Sequence, residues 1–384
     1  MEFDFLSPVE EEVLGFAGKL SSQHLGSKVT FHSEKEFPDL DKIRIAIVGV
    51  YENRGSGSVQ AETDLFHFRK ELYSLFPGNW GMAIADLGNI MPGESLSDTY
   101  YVVQKVCAGL IRRNILPIVI GGSQDLTYPI YRAYDELEQM VNLTAIDSRF
   151  DFGKGEDDAV PAHSYLSRIV VDEPNNLFNY GNLGYQTYYN SQEEIDLMDK
   201  LFFEAYRLGE ISSNIALAEP VLRDSDLVSL DLMAVKSSAS GNMSHFVPNG
   251  FDGKEICALA RYAGISDKVS AFGMFGHHGS KHEAPLMAQI IWYFIEGVQY
   301  RSNEYPYGSK ESYLKYIVPS EGDEIVFYKS DKTERWWIEI PFVSSVNNKL
   351  RRNSLLPCSY DEYLAACDQE MPERWWKAQR RNIV

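Results

Sequence analysis

The chain has 384 residues, 44% of them hydrophobic, which is enough for one large domain with a substantial core or for one domain with an appendage. Its net charge of −19 disfavours nucleic acid as a partner, because phosphates would be repelled. No run approaches the roughly 18 apolar residues that a membrane-spanning helix needs, and the N-terminal MEFDFLSPVEEEV lacks the basic and apolar regions of a secretory signal. The four cysteines have no metal-like spacing and fit buried reduced thiols, so we expect a cytoplasmic protein.

Short β-branched runs alternate with helical patterns along the body of the chain, which predicts repeated βα units and a parallel sheet. The predicted strands are 42–50, 82–88, 116–122, 143–147, 227–231 and 269–275. The predicted helices are 63–76, 97–113, 191–209 and 286–298. Ser191 and Glu194 have the spacing of a capping box at the start of the third helix. The Asn-, Gly- and Tyr-rich stretch 176–190 predicts a turn-laden excursion. We expect its aromatic residues, Phe178, Tyr180, Tyr185, Tyr188 and Tyr189, to pack over the sheet edge, and the alternative is that they line an interface or a pocket.

The last 80 or so residues change character. Residues 324–329 and 335–340 flank a polar stretch and predict a β-hairpin. Residues 359–381 predict one or two helices, with Pro372 marking a break. We therefore expect an N-terminal extension over 1–40, a main α/β domain over 41–303, and a C-terminal appendage over 304–384 that packs on the main domain.

Three of the six predicted strands carry polar residues at their carboxyl ends: the Gly-Gly-Ser-Gln-Asp run at 121–125, Asp147 and Asp231. In an open α/β sheet, ligands bind at that edge. The alternative is that these residues are solvated strand ends or helix N-caps. We favour a ligand site, because carboxylates recur at matching strand ends.

The run Asp147-Ser148-Arg149-Phe150-Asp151 has the shape of a metal site with one residue changed. An Asp-x-His-x-Asp run at the end of a buried strand would place three ligands around one divalent cation. The middle residue here is an arginine, which carries a permanent positive charge and has no lone pair to give a metal. The sequence thus indicates a metallohydrolase scaffold with a degenerate metal site.

These segments resemble those of the arginase family, the ureohydrolases. Residues 121–125, 147–151 and 229–233 are similar to its motifs Gly-Gly-Asp-His, Asp-Ala-His-x-Asp and Ser-x-Asp-x-Asp, and residues 85–90 and 248–251 are similar to its Asp-x-Gly-Asn and Pro-Gly-Gly-Leu segments. The resemblance implies a three-layer α/β/α fold with a mostly parallel sheet, to which the C-terminal β-hairpin and helix are appended. It also implies a hydrolase in which two manganese ions activate a hydroxide that attacks a guanidinium or formimino carbon.

Carried over position by position, the resemblance implies that three metal ligands remain and three are replaced. The ligand positions are Gln124 and Arg149 in place of histidines, Met233 in place of an aspartate, and the retained Asp147, Asp151 and Asp231. A glutamate expected for guanidinium recognition is Gly276 here. We therefore expect no metal cofactor, and the alternative is one divalent cation (Mn²⁺, Mg²⁺ or Ca²⁺) on the three aspartates.

Arg149 offers a replacement for the missing metal charge. Three clustered carboxylates repel one another, and a guanidinium pairs with carboxylates through a planar fork of donors. We expect the Arg149 side chain to lie at the second metal position and to join Asp147 to Asp231. Met233 then fills the remaining space as an apolar plug.

On this basis we favour a non-catalytic arginase-family protein, a pseudoenzyme that acts by binding a protein or a small ligand. The candidate partner-binding residues lie in the basic C-terminal stretch and are Trp375, Trp376, Arg380 and Arg381. The alternative for this stretch is a tail docked on the acidic body. Oligomers are common in the family, so a homo-oligomer is a further expectation.

Two enzymatic hypotheses compete with the pseudoenzyme. The first is a ureohydrolase-like enzyme of the formimidoylglutamase or arginase type, which hydrolyses a C–N bond of a guanidino or formimino amino acid. The second is a redesigned catalytic site that uses His163, His277 or His278. For these histidines the alternatives are a capping or surface role and a hydrogen-bonded loop.

Overall fold

The computed structural model describes residues 2–57, 64–153, 160–304, 312–320, 324–340 and 355–381. The strands are β1 (Leu6–Ser7), β2 (Val29–Phe31), β3 (Ile45–Val50), β4 (Ile84–Ile90), β5 (Leu116–Gly121), β6 (Val141–Ile146), β7 (Leu177–Tyr185), β8 (Glu204–Arg207), β9 (Leu227–Asp231), β10 (Ala271–Phe275), β11 (Tyr313–Pro319), β12 (Glu324–Ser330), β13 (Trp336–Glu339) and β14 (Leu355–Cys358). The helices are α1 (Glu11–Ala17), α2 (Phe66–Ser74), α3 (Leu96–Arg112), α4 (Thr127–Arg132), α5 (Pro161–Val171), α6 (Gln192–Lys200), α7 (Leu208–Ser213), α8 (Ala218–Arg223), α9 (Ser237–Ser240), α10 (Gly253–Ile265), α11 (Ala284–Gln299), α12 (Tyr360–Cys367) and α13 (Glu373–Arg381).

The central sheet has the strand order β1-β4-β3-β5-β10-β9-β6-β7-β8, with β2 beside β4. Strand β1 pairs antiparallel with β4, and the other pairs are parallel. Strands β3, β5 and β10 are buried along their whole length. Their sequences are continuously apolar rather than alternating, because helices cover both faces of the sheet.

The two faces of the sheet carry separate hydrophobic clusters. Helices α1, α2, α7, α8, α10 and α11 contribute to one cluster. Helices α3, α4, α5 and α6 contribute to the other. This arrangement confirms the predicted three-layer α/β/α fold with a mostly parallel sheet.

The stretch 176–190 was predicted as an irregular excursion, and that prediction is wrong, because most of it is the buried strand β7. Asparagine has a low β-propensity, but the asparagines of β7 are held in the strand by side-chain hydrogen bonds. Asn179 Nδ2 donates to Glu204 at 2.8 Å, and Asn182 Nδ2 donates to the Arg149 carbonyl at 2.7 Å. Gly184 has a φ of +110°, and the ring of Phe251 fills the space where its side chain would be.

The helix predicted over 191–209 is shorter than expected. It begins with the predicted capping box, since Ser191 N–H donates to Glu194 at 2.7 Å and the Glu194 N–H donates back to the Ser191 hydroxyl at 3.3 Å. It ends at Lys200, and Phe202 then takes a φ of +56°. The chain continues into β8, whose pairing with β7 overrides the helical pattern.

The C-terminal region forms a four-stranded antiparallel sheet in the order β11-β12-β13-β14. It contains the predicted hairpin, β12 and β13, and two strands that the sequence did not predict. The two predicted helices, α12 and α13, lie on either side of Pro372. Arg374 of α13 pairs with Glu204 of β8 at 2.6 Å, so this region contacts the central sheet.

The predicted domain boundaries at residues 40 and 303 stay predictions. The N-terminal region contributes β1 and β2 to the central sheet. Within the described ranges, no helix has the length and apolar character needed to cross a membrane.

Candidate active site

The carboxyl ends of β5, β10, β9 and β6 lie side by side at one edge of the central sheet. Ile146 pairs with Leu230, so Asp147 and Asp231 leave neighbouring strands at the same level. Gln124 follows β5 at the start of a 3₁₀ turn, Gln124–Leu126. The edge therefore brings together the carboxylates that the sequence placed there. We call Asp147, Asp151 and Asp231 the aspartate cluster.

Asp147 is 1% exposed and lies at the end of β6. Its Oδ1 accepts a hydrogen bond from the Arg149 N–H at 2.9 Å. Its Oδ2 has no hydrogen-bond partner among the described residues. Burial raises the pKa of Asp147, while the Arg149 N–H and the neighbouring Asp151 and Gln124 side chains act in the opposite direction.

Asp151 is 5% exposed and has a φ of +57°, a conformation that aspartate and asparagine tolerate better than most residues. Its Oδ2 also lacks a partner in the part of the chain that the structure describes. Burial raises the pKa of Asp151 well above its usual range, and the charges of Asp147 and Asp231 raise it further. The Asp147 side chain thus acts on Asp151 in the same direction as burial, and both carboxyl groups favour the protonated form more than a solvent-exposed aspartate does.

Asp231 completes the cluster from the end of β9. Its Oδ1 accepts a hydrogen bond from the Met233 N–H at 2.8 Å. Burial, followed by the charge of Asp147, raises the pKa of Asp231 well above its usual range. A Cβ atom at Gly276, whose φ is +76°, would lie 2.0 Å from Asp231 Oδ1. The position of Asp231 therefore leaves no room for a glutamate at residue 276.

Gln124 is buried beside the cluster and is held by hydroxyl groups. Its Nε2 donates to the Tyr165 hydroxyl at 3.3 Å and to the Ser229 hydroxyl at 3.4 Å. Charges on Asp147 and Asp151 raise the pKa of both Tyr165 and Tyr180, after the larger effect of burial. Tyr165 was not predicted from the sequence, and Tyr180 was considered only as one of several aromatic residues that could line a pocket.

Asn182 was also missed and lies next to the site. Its Nδ2 holds the Arg149 carbonyl, and its Oδ1 has no partner among the described residues. Tyr180 and Asn182 are two residues apart and therefore lie on one face of β7. A strand assignment for this stretch would have placed both side chains near the cluster.

The prediction for the Arg149 side chain is wrong in its geometry. In the described part of the chain, the guanidinium makes no ion pair with Asp147 or Asp231, and its Cζ lies 5.0 Å from the centre of the Tyr189 ring. Burial raises the pKa of each aspartate in the cluster, and the charge of the half-buried Arg149 side chain opposes that effect. The cation is thus close to the carboxylates but stacks on an aromatic ring instead of bridging them.

The role of Met233 as an apolar plug stays a prediction. Met233 lies in the 3₁₀ turn Leu232–Ala234 and is half-buried. Its Sδ accepts a long contact from Asn242 Nδ2 at 3.9 Å.

The three candidate histidines are not brought together around the cluster. His163 lies half-buried in the first turn of α5. His277 is 1% exposed, and its Nδ1 accepts a hydrogen bond from the Gly279 N–H at 3.1 Å. Burial lowers the pKa of His277 to about 4, with His278 as the second cause. Since no carboxylate contributes to that shift, these contacts favour the hydrogen-bonded loop.

The four C-terminal candidates for partner binding are divided by the structure. Trp375 is buried and donates to the Glu339 carbonyl at 2.8 Å, and Arg381 lies 3.7 Å from Glu204. Trp376 and Arg380 are exposed and stack on each other at 5.6 Å. Most of this stretch thus docks helix α13 on the body, and a partner surface stays a prediction for Trp376 and Arg380.

The donor set does not fit two metal ions. Among the described residues, no group of three or more His, Cys, Asp or Glu side chains is arranged to hold a metal. Arg149 and Met233 supply neither a carboxylate nor an imidazole. Asp147 Oδ2 and Asp151 Oδ2, which have no hydrogen-bond partner in the described ranges, are hard donors that a single divalent cation would accept.

The arginase family model matches residues 55–274, more than half of the chain. The chain belongs to the arginase family. This arginase-family chain is 22% identical over 269 residues to formimidoylglutamase from Geobacillus sp. (strain WCH70), covering 64% of this chain and 82% of that protein. It is 25% identical over 271 residues to formimidoylglutamase from Streptococcus gordonii, covering 65% and 80% of the two chains.

Solved arginase-family structures support the fold. The crystal structure of Trypanosoma cruzi formiminoglutamase with manganese has a TM-score of 0.62 at 17% identity, covering 68% of this chain and 96% of that one. At this identity the likeness shows the fold alone.

The comparisons overturn the prediction that the chain is a pseudoenzyme. That prediction rested on the replaced ligand positions. The similar arginase-family proteins are formimidoylglutamases, and these are hydrolases. We therefore do not retain the non-catalytic interpretation.

Proposed function

We propose that the chain is a hydrolase of the formimidoylglutamase type that cleaves a C–N bond in a formimino or guanidino amino acid. The observation that carries this proposal is the aspartate cluster at the carboxyl edge of the sheet, in which Asp147 and Asp151 are buried and each has one oxygen without a hydrogen-bond partner among the described residues. Membership of the arginase family and similarity to two formimidoylglutamases support the choice of reaction.

The charge of the site suits an amidine substrate. Formimino and guanidino groups are cationic at neutral pH, and their planar N–H groups pair with carboxylates. The three clustered aspartates repel one another until a cation lies among them. A bound amidinium group would balance this charge and would place its carbon beside the Asp147–Asp151 pair.

The reaction needs one bond to form and one to break. Water adds its oxygen to the amidine carbon, the bond from that carbon to the amino-acid nitrogen breaks, and this nitrogen takes up a proton as the amine leaves. The chain supplies the orientation and the charge: the carboxylates hold the amidinium, and Gln124 and Tyr165 fix one wall of the site. Burial raises the pKa of Asp147 and of Asp151, so a carboxyl group of this pair would carry the proton that the leaving amine needs.

A divalent cation would have a limited place in this site. Two manganese ions do not fit the residues present, so we derive no step through such a pair. Asp147 Oδ2 and Asp151 Oδ2 would be the ligands of a single cation, and the chemistry that such an ion would supply is the polarisation of a bound water.

The test is an assay of product release on a panel of substrates. We expect formamide from N-formimino-L-glutamate, or urea from L-arginine or agmatine, with purified protein in EDTA or in added MnCl₂ or MgCl₂. Asp147→Asn should lower turnover by a factor of about a hundred or more, because the cluster loses its central charge. Asp252→Asn is the control, since Asp252 caps α10 and lies outside the site. Absence of product from every substrate under every condition would refute the proposal.

A further inference from the structure

Arg149 stands where the family motif has a metal-ligating histidine, and its surroundings indicate what it does instead. Its backbone is fixed at each peptide group. The Arg149 N–H donates to Asp147 at 2.9 Å, and its carbonyl accepts from Asn182 at 2.7 Å. Asn190 holds both neighbours, because its Nδ2 donates to the Ser148 carbonyl at 3.0 Å and its Oδ1 accepts from the Phe150 N–H at 2.8 Å. The side chain therefore starts from a rigid anchor.

The guanidinium at the end of this anchored side chain has no anionic partner among the described residues. It stacks on Tyr189, with 5.0 Å between Cζ and the ring centre, and this ring restricts its position. The side chain is half-buried, whereas Asp147 and Asp151 are buried. The site thus has carboxylates at its floor and a donor fork nearer to the solvent.

We propose that Arg149 is the anion-recognition residue of this site and binds the carboxylate of a substrate whose amidine group lies against the aspartate cluster. A guanidinium is suited to this task, since its two parallel N–H groups match the two oxygens of a carboxylate. An anchored and stacked side chain loses little freedom when the carboxylate binds. The inference rests on the proposed function and narrows the substrate class to amidino acids, in contrast to amidino amines.

The arrangement of negative and positive side chains in the site supports the same substrate class. Arg149 lies two residues from Asp147 and from Asp151, and its N–H donates to Asp147 at 2.9 Å, so the positive and negative regions belong to one site. A ligand with a cationic amidine at one end and a carboxylate at the other would meet the opposite charge at both ends. A ligand with only the amidine would leave the guanidinium unpaired.

The experiment compares two probes that share the amidine group and differ in their carboxylates: N-formimino-L-glutamate and N-propylformamidine, which lacks both carboxylates. Binding to the full chain is measured by calorimetry, and kcat/KM for each probe is measured where turnover occurs. We expect Arg149→Gln to weaken binding of N-formimino-L-glutamate by about 10- to 100-fold and to leave the other probe within about twofold. Arg149→Lys should retain part of the preference, because it keeps the charge but not the fork.

Arg168→Gln is the matched control, because Arg168 also stacks on a tyrosine, at 4.0 Å from the Tyr128 ring, and pairs with Asp172. The inference is overturned if Arg149→Gln binds both probes as the wild type does, or weakens both equally. If the wild type binds neither probe, the proposed function itself fails and the inference falls with it. Thermal unfolding of each variant separates these outcomes from misfolding.

Discussion

Replacing Asp151 by asparagine should stabilise the protein. Asp151 is buried beside Asp147, and its Oδ2 has no partner among the described residues. Ionising this carboxyl group therefore costs free energy that a neutral amide of the same shape does not require. Asparagine also tolerates the φ of +57° at this position. We expect the free energy of unfolding near neutral pH to rise by about 1–3 kcal/mol.

The pH dependence of this gain has a definite sign. Folding raises the pKa of Asp151, so the protonated form of this side chain favours the folded state. This contribution to stability is fully present below the unfolded pKa of about 3.9 and is lost as pH rises through the folded pKa. Asp151→Asn does not titrate, so its advantage over the wild type should grow with pH. For a chain of this length, the expected increase in melting temperature is about 1–4 °C.

The assay is calorimetric unfolding in EDTA at about pH 5 and about pH 8, where linkage predicts the larger difference at the higher pH. Asp86→Asn is the contrasting control, because Asp86 is equally buried but pairs with Arg69 at 2.8 Å. That substitution should destabilise the protein by about 3–5 kcal/mol. A loss of stability for Asp151→Asn at both pH values would show that Asp151 is held by structural interactions, and the reasoning would fail.

Three further predictions concern the docked C-terminal helix and the metal content. Arg374→Met leaves Glu204 buried without its partner at 2.6 Å, so urea unfolding should show a loss of about 3–5 kcal/mol in the free energy of unfolding. The control is Arg380→Gln, which changes an exposed residue of the same helix and should alter this free energy by less than about 0.5 kcal/mol. Equal effects of the two substitutions would contradict the docking role of Arg374. Burial raises the pKa of Glu204, but the charges of Arg374 and Arg381 together lower it below its usual value. The difference in free energy of unfolding between the wild type and Glu204→Gln should therefore be present above the usual glutamate pKa and should shrink as pH falls through the lowered pKa. A difference that does not depend on pH would contradict this prediction. Elemental analysis after dialysis against MnCl₂ should find fewer than two manganese ions per chain, because two ligand positions are occupied by Arg149 and Met233. Two manganese ions per chain would contradict the conclusion that these residues do not fit a dinuclear metal site.

The sequence predicted the position of the site more reliably than its internal contacts. Asp147 and Asp231 could be placed together because the carboxyl ends of parallel strands share one edge, a rule that needs no side-chain detail. The orientation of Arg149 could not be predicted, because its stacking partner Tyr189 follows a strand that the sequence did not reveal. That strand, β7, was hidden by asparagines and glycines whose hydrogen bonds and close packing exist only in the folded chain.

The pseudoenzyme prediction failed for a related reason. It rested on the three replaced ligand positions, whereas the similar arginase-family proteins are formimidoylglutamases. A residue type alone shows which metal chemistry is disfavoured, but it does not show which other role the side chain takes.

The central claim is that the aspartate cluster cleaves an amidine C–N bond, and the most direct measurement follows the formimino carbon itself. Protein is mixed with N-formimino-L-glutamate that is isotope-labelled at this carbon, and the label is observed by NMR. The account predicts that the label moves into formamide with the wild type and stays in the substrate with Asp231→Asn. A label that stays in the substrate with the wild type, in EDTA and in added manganese or magnesium, would contradict it.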